Sequence, residues 1–277
     1  KSGSIVSPEL PIEFINTGEL DIKTTYVLPV TIKSVEGIGV LQSAKTYYYV
    51  FRGASLINVV CNISRNRAYP DFKNDSNFNN LTENTMEILF KANSFPNTLN
   101  TLMGIESNYL LRIGDATIPN NQLQVATSVN NCTSADLQLE SGKWYHVAVA
   151  FNKGNVKVYI NGVEKLSGST GKSSVSLGAK HTNEEDGSRC FWVGYSYKDD
   201  RYFDGVVSEV RIWNRALTAE EIQATNHFYT IEPESEGLIA YWKFDEGSGT
   251  VAKDYSVSGY DLTIEKEPKW ESVSLPQ

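Results

Sequence analysis

The chain has 277 residues and a formal net charge of −8. An acidic chain lacks the basic face that nucleic acids require and has no electrostatic hold on anionic lipid, so neither partner is expected. No run of about 18 apolar residues occurs, so the sequence predicts no transmembrane segment. The length suffices for one large domain with a smaller module, and such a core needs neither disulfides nor metals.

Residues 1–53 show three strand-like patterns, at Leu10–Ile15, Tyr26–Val35 and Lys45–Phe51. In the second, Tyr26, Leu28, Val30 and Ile32 share one face. The phrases SGSIVS, TTYVLPVTIKSVEG and KTYYYVFRG resemble the C-terminal half of a small immunoglobulin-like domain of unknown function. That domain occurs in surface glycan-handling proteins of gut bacteria. The resemblance implies a partial immunoglobulin-like β module at residues 1–53.

The next part of the chain alternates strand patterns with polar turns. Residues 70–84 and 167–188 are rich in small and polar residues, which predicts loops. The predicted strands are Ile57–Asn62, Glu83–Lys91, Leu99–Ile105, Tyr109–Gly114 and Gln122–Thr127.

Residues 141–223 carry the clearest pattern. Val147, Val149 and Phe151 alternate with polar or small residues, which is typical of a strand with one buried face. A second strand ends at Asn161-Gly162, a dipeptide that tolerates the positive φ angles of a tight hairpin. Strand-like runs follow at Phe191–Tyr195 and Val206–Trp213. Thr218 and Glu221 then predict the capping box of a short helix.

The phrases GKWYHVAVAF, VKVYINGV, FWVGY and FDGVVSEVRIWNRALTAEEI in this stretch resemble the laminin-G-like, concanavalin A-like lectin/glucanase family. The resemblance implies an all-β fold, an antiparallel jelly-roll sandwich that usually serves recognition, most often of glycans. We assign it to residues 54–277. The phrase GLIAYWKFDEGSGT usually opens such a domain, but here too few residues follow for a second sandwich. Residues 237–277 are therefore expected to complete the first one.

Catalysis is not expected. Glycosidases need two carboxylates flanking the sugar bond, which a strand supplies through phrases such as E-x-D-x-x-E. No such phrase occurs, and the nearest pair, Asp136 and Glu140, is typical of a solvated rim. Nucleophile motifs of the G-x-S-x-G kind are absent as well.

The best candidate binding site is the loop that follows Phe191–Tyr195. Sugar faces stack on aromatic rings, while charged side chains bond the hydroxyls. Trp192 has the opposite parity to its neighbours in the strand, so its ring is expected to face outward. The alternative is that Tyr202 and Phe203 only anchor the loop. The predicted ligand-binding residues are Trp192, Tyr195, Tyr197, Asp199, Asp200, Arg201 and Tyr202.

No cofactor is predicted apart from calcium, which is common in the resembling superfamily. Its candidate ligands lie in Glu184-Glu185-Asp186-Gly187, Asp199-Asp200 and Asp245-Glu246-Gly247, none of which has the spacing of an EF-hand loop. The metal ligands therefore stay unassigned. The three histidines are scattered along the sequence and predict no metal or acid–base set. Cys61, Cys132 and Cys190 show no metal-ligand spacing and are interpreted as incidental thiols.

Together these features predict a non-catalytic, lectin-like carbohydrate-binding module. The resemblance places it in a secreted or surface-anchored bacterial protein, with a role in polysaccharide utilisation. Because the chain opens at Lys1 rather than Met, it is interpreted as a processed piece of an extracellular, cell-surface or periplasmic protein, with a lipid anchor one option. A protein-binding adhesion domain and an unusual glycoside hydrolase remain the alternatives. The sequence does not fix the oligomeric state.

Overall fold

The computed structural model describes residues 20, 24–36, 43, 45–52, 55–181 and 189–276. The chain divides into two compact units, Lys1–Leu56 with Ser274–Gln277 and Ile57–Val273. The strand pairings whose register the structure describes are antiparallel, and helix is confined to short segments in the described ranges. None of the described helices has the length and apolar character needed to span a membrane.

The strands are, in chain order, β1 Thr25–Thr31, β2 Thr46–Arg52, β3 Ile57–Asn62, β4 Ala68–Pro70, β5 Glu83–Ala92, β6 Asn100–Ile105, β7 Tyr109–Asp115, β8 Ile118–Thr127, β9 Trp144–Asn152, β10 Asn155–Ile160, β11 Val163–Ser169, β12 Trp192–Val193, β13 Gly205–Trp213, β14 Leu238–Trp242, β15 Val251–Ala252, β16 Leu262–Ile264 and β17 Lys269–Leu275. One α-helix, α1, spans Ala219–Ile222. Three-residue 3₁₀ turns lie at Ser76–Phe78, Ala135–Leu137 and Asp199–Arg201.

In the first unit, β1 and β2 form an antiparallel hairpin in which Thr25 pairs with Arg52. Leu28, Val30 and Ile32 share a face as predicted, but they are 40%, 38% and 46% exposed. Two strands have no second layer of their own to bury such a face. The predicted strand Leu10–Ile15 lies outside the described residues, so the immunoglobulin-like module stays a prediction.

The second unit is a sandwich of two sheets. One sheet, called the eight-stranded sheet, has the order β11-β10-β9-β5-β13-β3-β17, with β14 also paired to β13. The other, called the seven-stranded sheet, has the order β15-β16-β4-β12-β6-β7-β8. Strands that are neighbours in a sheet are often far apart in sequence, which is the topology of a jelly roll.

The core lies between the two sheets. Val147, Val149 and Phe151 are fully buried there, as their alternation predicts. The prediction that the opposite face of β9 is open is wrong, since Ala148 and Ala150 are also buried. They contact a second apolar cluster that Leu217 and Ile222 of the α1 region complete; the other members are Tyr159, Trp213, Leu238 and Tyr241. The α1 region therefore covers this sheet from outside.

Two local signals have the predicted geometry. Asn161 and Gly162 have φ angles of 50° and 77°, which is the turn that an Asn-Gly hairpin favours. At α1 the Thr218 backbone N–H donates to Glu221 Oε2 at 2.8 Å, and the Glu221 N–H donates to Thr218 Oγ1 at 3.3 Å. The two bonds form a reciprocal capping box.

The C-terminal segment lies in both sheets. All five residues of β14 are buried, and the strand pairs with β13 in the eight-stranded sheet. β16 pairs with β4 in the seven-stranded sheet, and β17 lies next to β3. Each sheet therefore contains strands from this segment.

Candidate functional site

A cavity of about 560 Å³, called here the rim cavity, lies among the described residues. Its walls are the links between β3 and β4, β5 and β6, β12 and β13, and β16 and β17. Each of these links joins a strand of one sheet to a strand of the other. The cavity therefore lies at an edge of the sandwich where the chain crosses between sheets. The lining residues are Ser64, Arg65, Pro96, Asn97, Tyr202, Phe203, Asp204 and Lys266.

The walls are tied to the sandwich and to one another. Phe203 is fully buried and packs edge-on against Phe90 of β5, with ring centroids 5.6 Å apart. Its neighbour Tyr202 is half-buried and lines the cavity. Asn97 donates from Nδ2 to the Tyr202 carbonyl at 3.0 Å. Such cross-links hold the cavity walls in place before a ligand arrives, which lowers the entropy cost of binding.

Asp204 is the one acidic residue in the lining. Its carboxylate accepts hydrogen bonds from Ser64 Oγ at 2.7 Å and Ser94 Oγ at 2.5 Å. Partial burial raises the pKa of Asp204, but the hydrogen bonds from Ser94, Ser64 and Asn93 outweigh burial and lower it. Asp204 is therefore held ionised at neutral pH, as an acceptor for a ligand hydroxyl and not as a proton donor.

The predicted residues Trp192 and Tyr195 lie beside the cavity, on the outer face of the seven-stranded sheet. The Trp192 ring points away from the core, as its parity predicts, but it is only 2% exposed. The Arg67 guanidinium lies over both rings, 5.0 Å from the Trp192 centroid and 4.5 Å from that of Tyr195. Arg67 is held there by two hydrogen bonds to Glu265. The expectation of an open Trp192 face is wrong because these neighbours cover it.

The other predicted residues surround Arg201. Its guanidinium lies 4.5 Å from the Tyr197 ring centroid and pairs with Glu106 at 3.1 Å. Asp200 is exposed, and Asp199 begins the 3₁₀ turn of this loop. Tyr202 connects the two groups, since its ring lies 4.9 Å from Tyr195. Among the predicted residues whose side chains the structure describes, Tyr202 alone lines the rim cavity.

Sequence reasoning missed a group of buried charged residues on the outer face of the eight-stranded sheet, called here the Glu87 cluster. His227 Nε2 lies 2.6 Å from Glu87 Oε1, and His146 Nε2 lies 3.4 Å from the same oxygen. Trp213 Nε1 donates to Glu87 Oε2 at 2.7 Å, and Arg211 pairs with Glu209. The interpretation of the histidines as scattered is therefore wrong for two of the three. The only sequence signal for this group was strand alternation: Glu87 and His146 alternate with core residues, which places their side chains on the outer face of the sheet.

The Glu87 cluster is the one group of three metal-ligating side chains found within the described residues. Two of its three members already have protein partners, because Glu87 Oε2 accepts from Trp213 Nε1 and Glu87 Oε1 lies 2.6 Å from His227 Nε2. The Arg211 guanidinium also lies 3.7 Å from Glu87 and would oppose a cation. Burial raises the pKa of Glu87, but the two histidines outweigh burial and hold it well below the usual range. Burial lowers the pKa of His146. We interpret the cluster as a buried ion-pair network.

The structure does not bring the acidic segments considered for calcium into one group of ligands among the described residues. Residues 184–187 are outside the described part of the chain. Glu246 accepts a hydrogen bond from the Lys253 backbone at 2.7 Å, so its own loop already uses it. The calcium site stays a prediction. All three cysteines are free thiols and are buried.

The fold and the sequence together define the class of protein. Residues 65–223 match the family model of a laminin-G domain, which belongs to the concanavalin A-like lectin/glucanases superfamily. That range covers more than half of the chain, so the protein belongs to this family.

Among solved structures, a candidate carbohydrate-binding protein from Bacteroides ovatus is 26% identical, with a TM-score of 0.67 over 92% of this chain and 70% of that one. A heptameric pentraxin from Limulus polyphemus is 14% identical, with a TM-score of 0.43 over 63% of this chain and 83% of that one. Domain 4 of AbnA, an arabinanase from Geobacillus stearothermophilus in complex with arabinotriose, is 19% identical, with a TM-score of 0.43 over 78% and 91%. A comparison with curated proteins found no match.

Proposed function

We propose that the protein is a non-catalytic glycan-binding module and that the rim cavity holds the glycan. The observation that carries the proposal is the composition of the cavity wall. Tyr202 offers an aromatic ring, and Asp204, Asn97 and Ser64 offer hydrogen-bonding groups for sugar hydroxyls. A volume of about 560 Å³ lies in the range of small-molecule sites. The likeness to the candidate carbohydrate-binding protein from Bacteroides ovatus supports the glycan-binding part of the proposal.

The absence of catalysis is part of the proposal. A glycosidase of the common kind needs a second carboxylate across the sugar bond, about 5–9.5 Å from the first. Asp204 is the one carboxylate among the eight lining residues, and its low pKa does not suit a general acid. Asp136 and Glu140, the pair considered from the sequence, are both exposed, and Glu140 pairs with Lys143. We further propose a place outside the cell, where polysaccharides are met.

A polysaccharide array followed by titration calorimetry tests the function. We expect Tyr202→Ala to weaken binding of the best ligand by about 1 kcal/mol, the scale of one aromatic contact and about fivefold in Kd. The matched control is Tyr48→Ala, since Tyr48 is 65% exposed on the hairpin of the other unit. Thermal melts of both variants must match the parent. An equal loss of affinity in both variants, or no loss of affinity in Tyr202→Ala, would show that the rim cavity is not the binding site. Release of reducing sugar from a polysaccharide would contradict the non-catalytic assignment.

A further inference from the structure

We propose that the rim cavity selects saccharides that carry a carboxylate, such as uronates, a specificity that rests on the proposed glycan-binding function. Arg65 and Lys266 are the cationic residues of the cavity wall, and both are exposed. Against the single carboxylate of Asp204 they leave the wall with one excess positive charge. This local excess contrasts with the net charge of −8 for the whole chain.

Neither cation of the cavity wall has an ion pair among the described residues. Their neighbours do have one: Arg67 pairs with Glu265 at 2.6 Å, and Lys269 pairs with Glu271 at 3.2 Å. Asp204 does not take this role: its carboxylate accepts hydrogen bonds from Ser64, Ser94 and Asn93, which leaves one of its acceptor positions for a ligand. Arg65 acts on Asp204 only through its field, which lowers the pKa of that carboxyl. Both cations therefore remain available to a ligand anion.

Backbone contacts hold the main chain of both cationic residues next to the cavity. The Asn66 side chain donates to the Lys266 carbonyl at 2.7 Å and accepts from the Lys266 N–H at 3.1 Å. Asn66 is 5% exposed, so this link is part of the fold. Arg65, the residue before it, has a φ of 52°. A left-handed conformation is strained for a side-chain-bearing residue, and glycine would avoid that strain. An arginine at this strained position is consistent with use of its side chain.

The chemistry of the wall matches an acidic sugar. A guanidinium presents two parallel N–H groups to a carboxylate, and an ammonium adds a point charge. Asp204 and Asn97 offer polar groups to the hydroxyls, and the half-buried Tyr202 ring offers a surface to the apolar face of the sugar. A neutral sugar would use the second set of groups alone. The carboxylate is therefore the feature that we expect to set the preference.

Matched ligand pairs test this preference. Trigalacturonate and its fully methyl-esterified form share a shape but differ in charge, and sialyllactose and lactose form a second pair. We expect the charged member of at least one pair to bind about tenfold more tightly, as for one hydrogen bond to a charged group. Arg65→Gln and Lys266→Gln should each reduce that ratio while binding of the neutral member is kept. Lys165→Gln, at an exposed lysine on β11, should leave the ratio unchanged.

The outcomes separate this inference from the function on which it rests. Equal binding of both members of each pair overturns the carboxylate preference and leaves glycan binding standing. A preference that persists in Arg65→Gln and Lys266→Gln also overturns it. If no member of either pair binds and the array is blank, both proposals are wrong. Arg65→Gly gives a further check, because it should lose the preference without lowering the melting temperature.

Discussion

At the scale of single residues, the Glu87 cluster shows how burial changes the role of a charge. Glu87, His146 and Arg211 are all fully buried. An isolated charge in such a place costs many kcal/mol, so Glu87 and Arg211 need partners, whereas burial favours the neutral form of His146. The partners come from β5, β9, β13 and the segment after α1. The cluster therefore joins this segment to the sheet by directional bonds, in addition to the apolar contacts of Leu217 and Ile222.

The first stability prediction concerns Glu87→Gln. The amide keeps the shape of the side chain but removes the negative charge that faces His227 and Arg211. Breaking a buried pair from one side typically costs about 3–5 kcal/mol. We expect a loss of that size in the free energy of unfolding, measured by urea denaturation. Glu83→Gln on the same strand is the control, and a loss as small as in the control would contradict the ion-pair interpretation.

At the scale of elements, β13 shows how a local irregularity positions side chains. Its pairing with β5 shifts between Ser208 and Arg211, and Glu209 in this interval has a φ of 50°. Val207 and Val210 both face the core, which strict alternation does not allow. The bulge accommodates the extra residue, so that Glu209 and Arg211 can form their pair in the Glu87 cluster.

The element-scale prediction concerns the C-terminal strands. Truncation after Glu236 removes β14 and β16, which supply buried residues to both sheets. It also exposes the edges of β13 and β4. We expect an insoluble or non-cooperatively melting product, because open edges and apolar faces aggregate. Removal of residues 1–52, which belong to the other unit, is the comparison and should leave a cooperative transition. A soluble, cooperatively melting C-terminal truncation would refute the prediction.

At the scale of the whole molecule, the free energy of unfolding is expected to decrease as the pH is lowered. Burial lowers the pKa of His146 in the folded chain. As the pH falls below about 6.5, His146 is therefore protonated in the unfolded chain before it is protonated in the folded chain, and this favours unfolding. The pKa of Glu87 is also lowered, so its contribution is complete above about pH 4.5 and is lost as pH falls through the folded value. Both groups act in the same direction.

Urea midpoints between pH 8 and pH 4 test this dependence. We expect a plateau above about pH 7 and a progressive fall below it, steeper than exposed groups produce. His146→Gln should flatten the part of the curve between about pH 6.5 and pH 5, since that part is assigned to His146. A midpoint independent of pH in this interval, or a slope unchanged in the variant, would contradict the assignment.

What the sequence by itself determined was local. The alternation of Val147, Val149 and Phe151, the Asn161-Gly162 turn and the Thr218–Glu221 capping box depend on residues within a few positions of one another. The sandwich fold was predicted from the resemblance of several sequence phrases to one family, because these phrases occur in that family's order and spacing. These features could be predicted because backbone preference and strand parity are properties of short segments.

Only the tertiary structure decided which side chains are covered by others and which residues distant in sequence come together. Parity gave the direction of the Trp192 ring, but whether Arg67 covers that ring depends on a residue more than 100 positions away. His227 meets Glu87 across 140 positions, and the rim cavity gathers residues from Ser64 to Lys266. The jelly-roll topology brings these residues together because its neighbouring strands are distant in sequence. Short-range preferences carry no information about which distant surfaces meet, so the site had to be found in the folded chain.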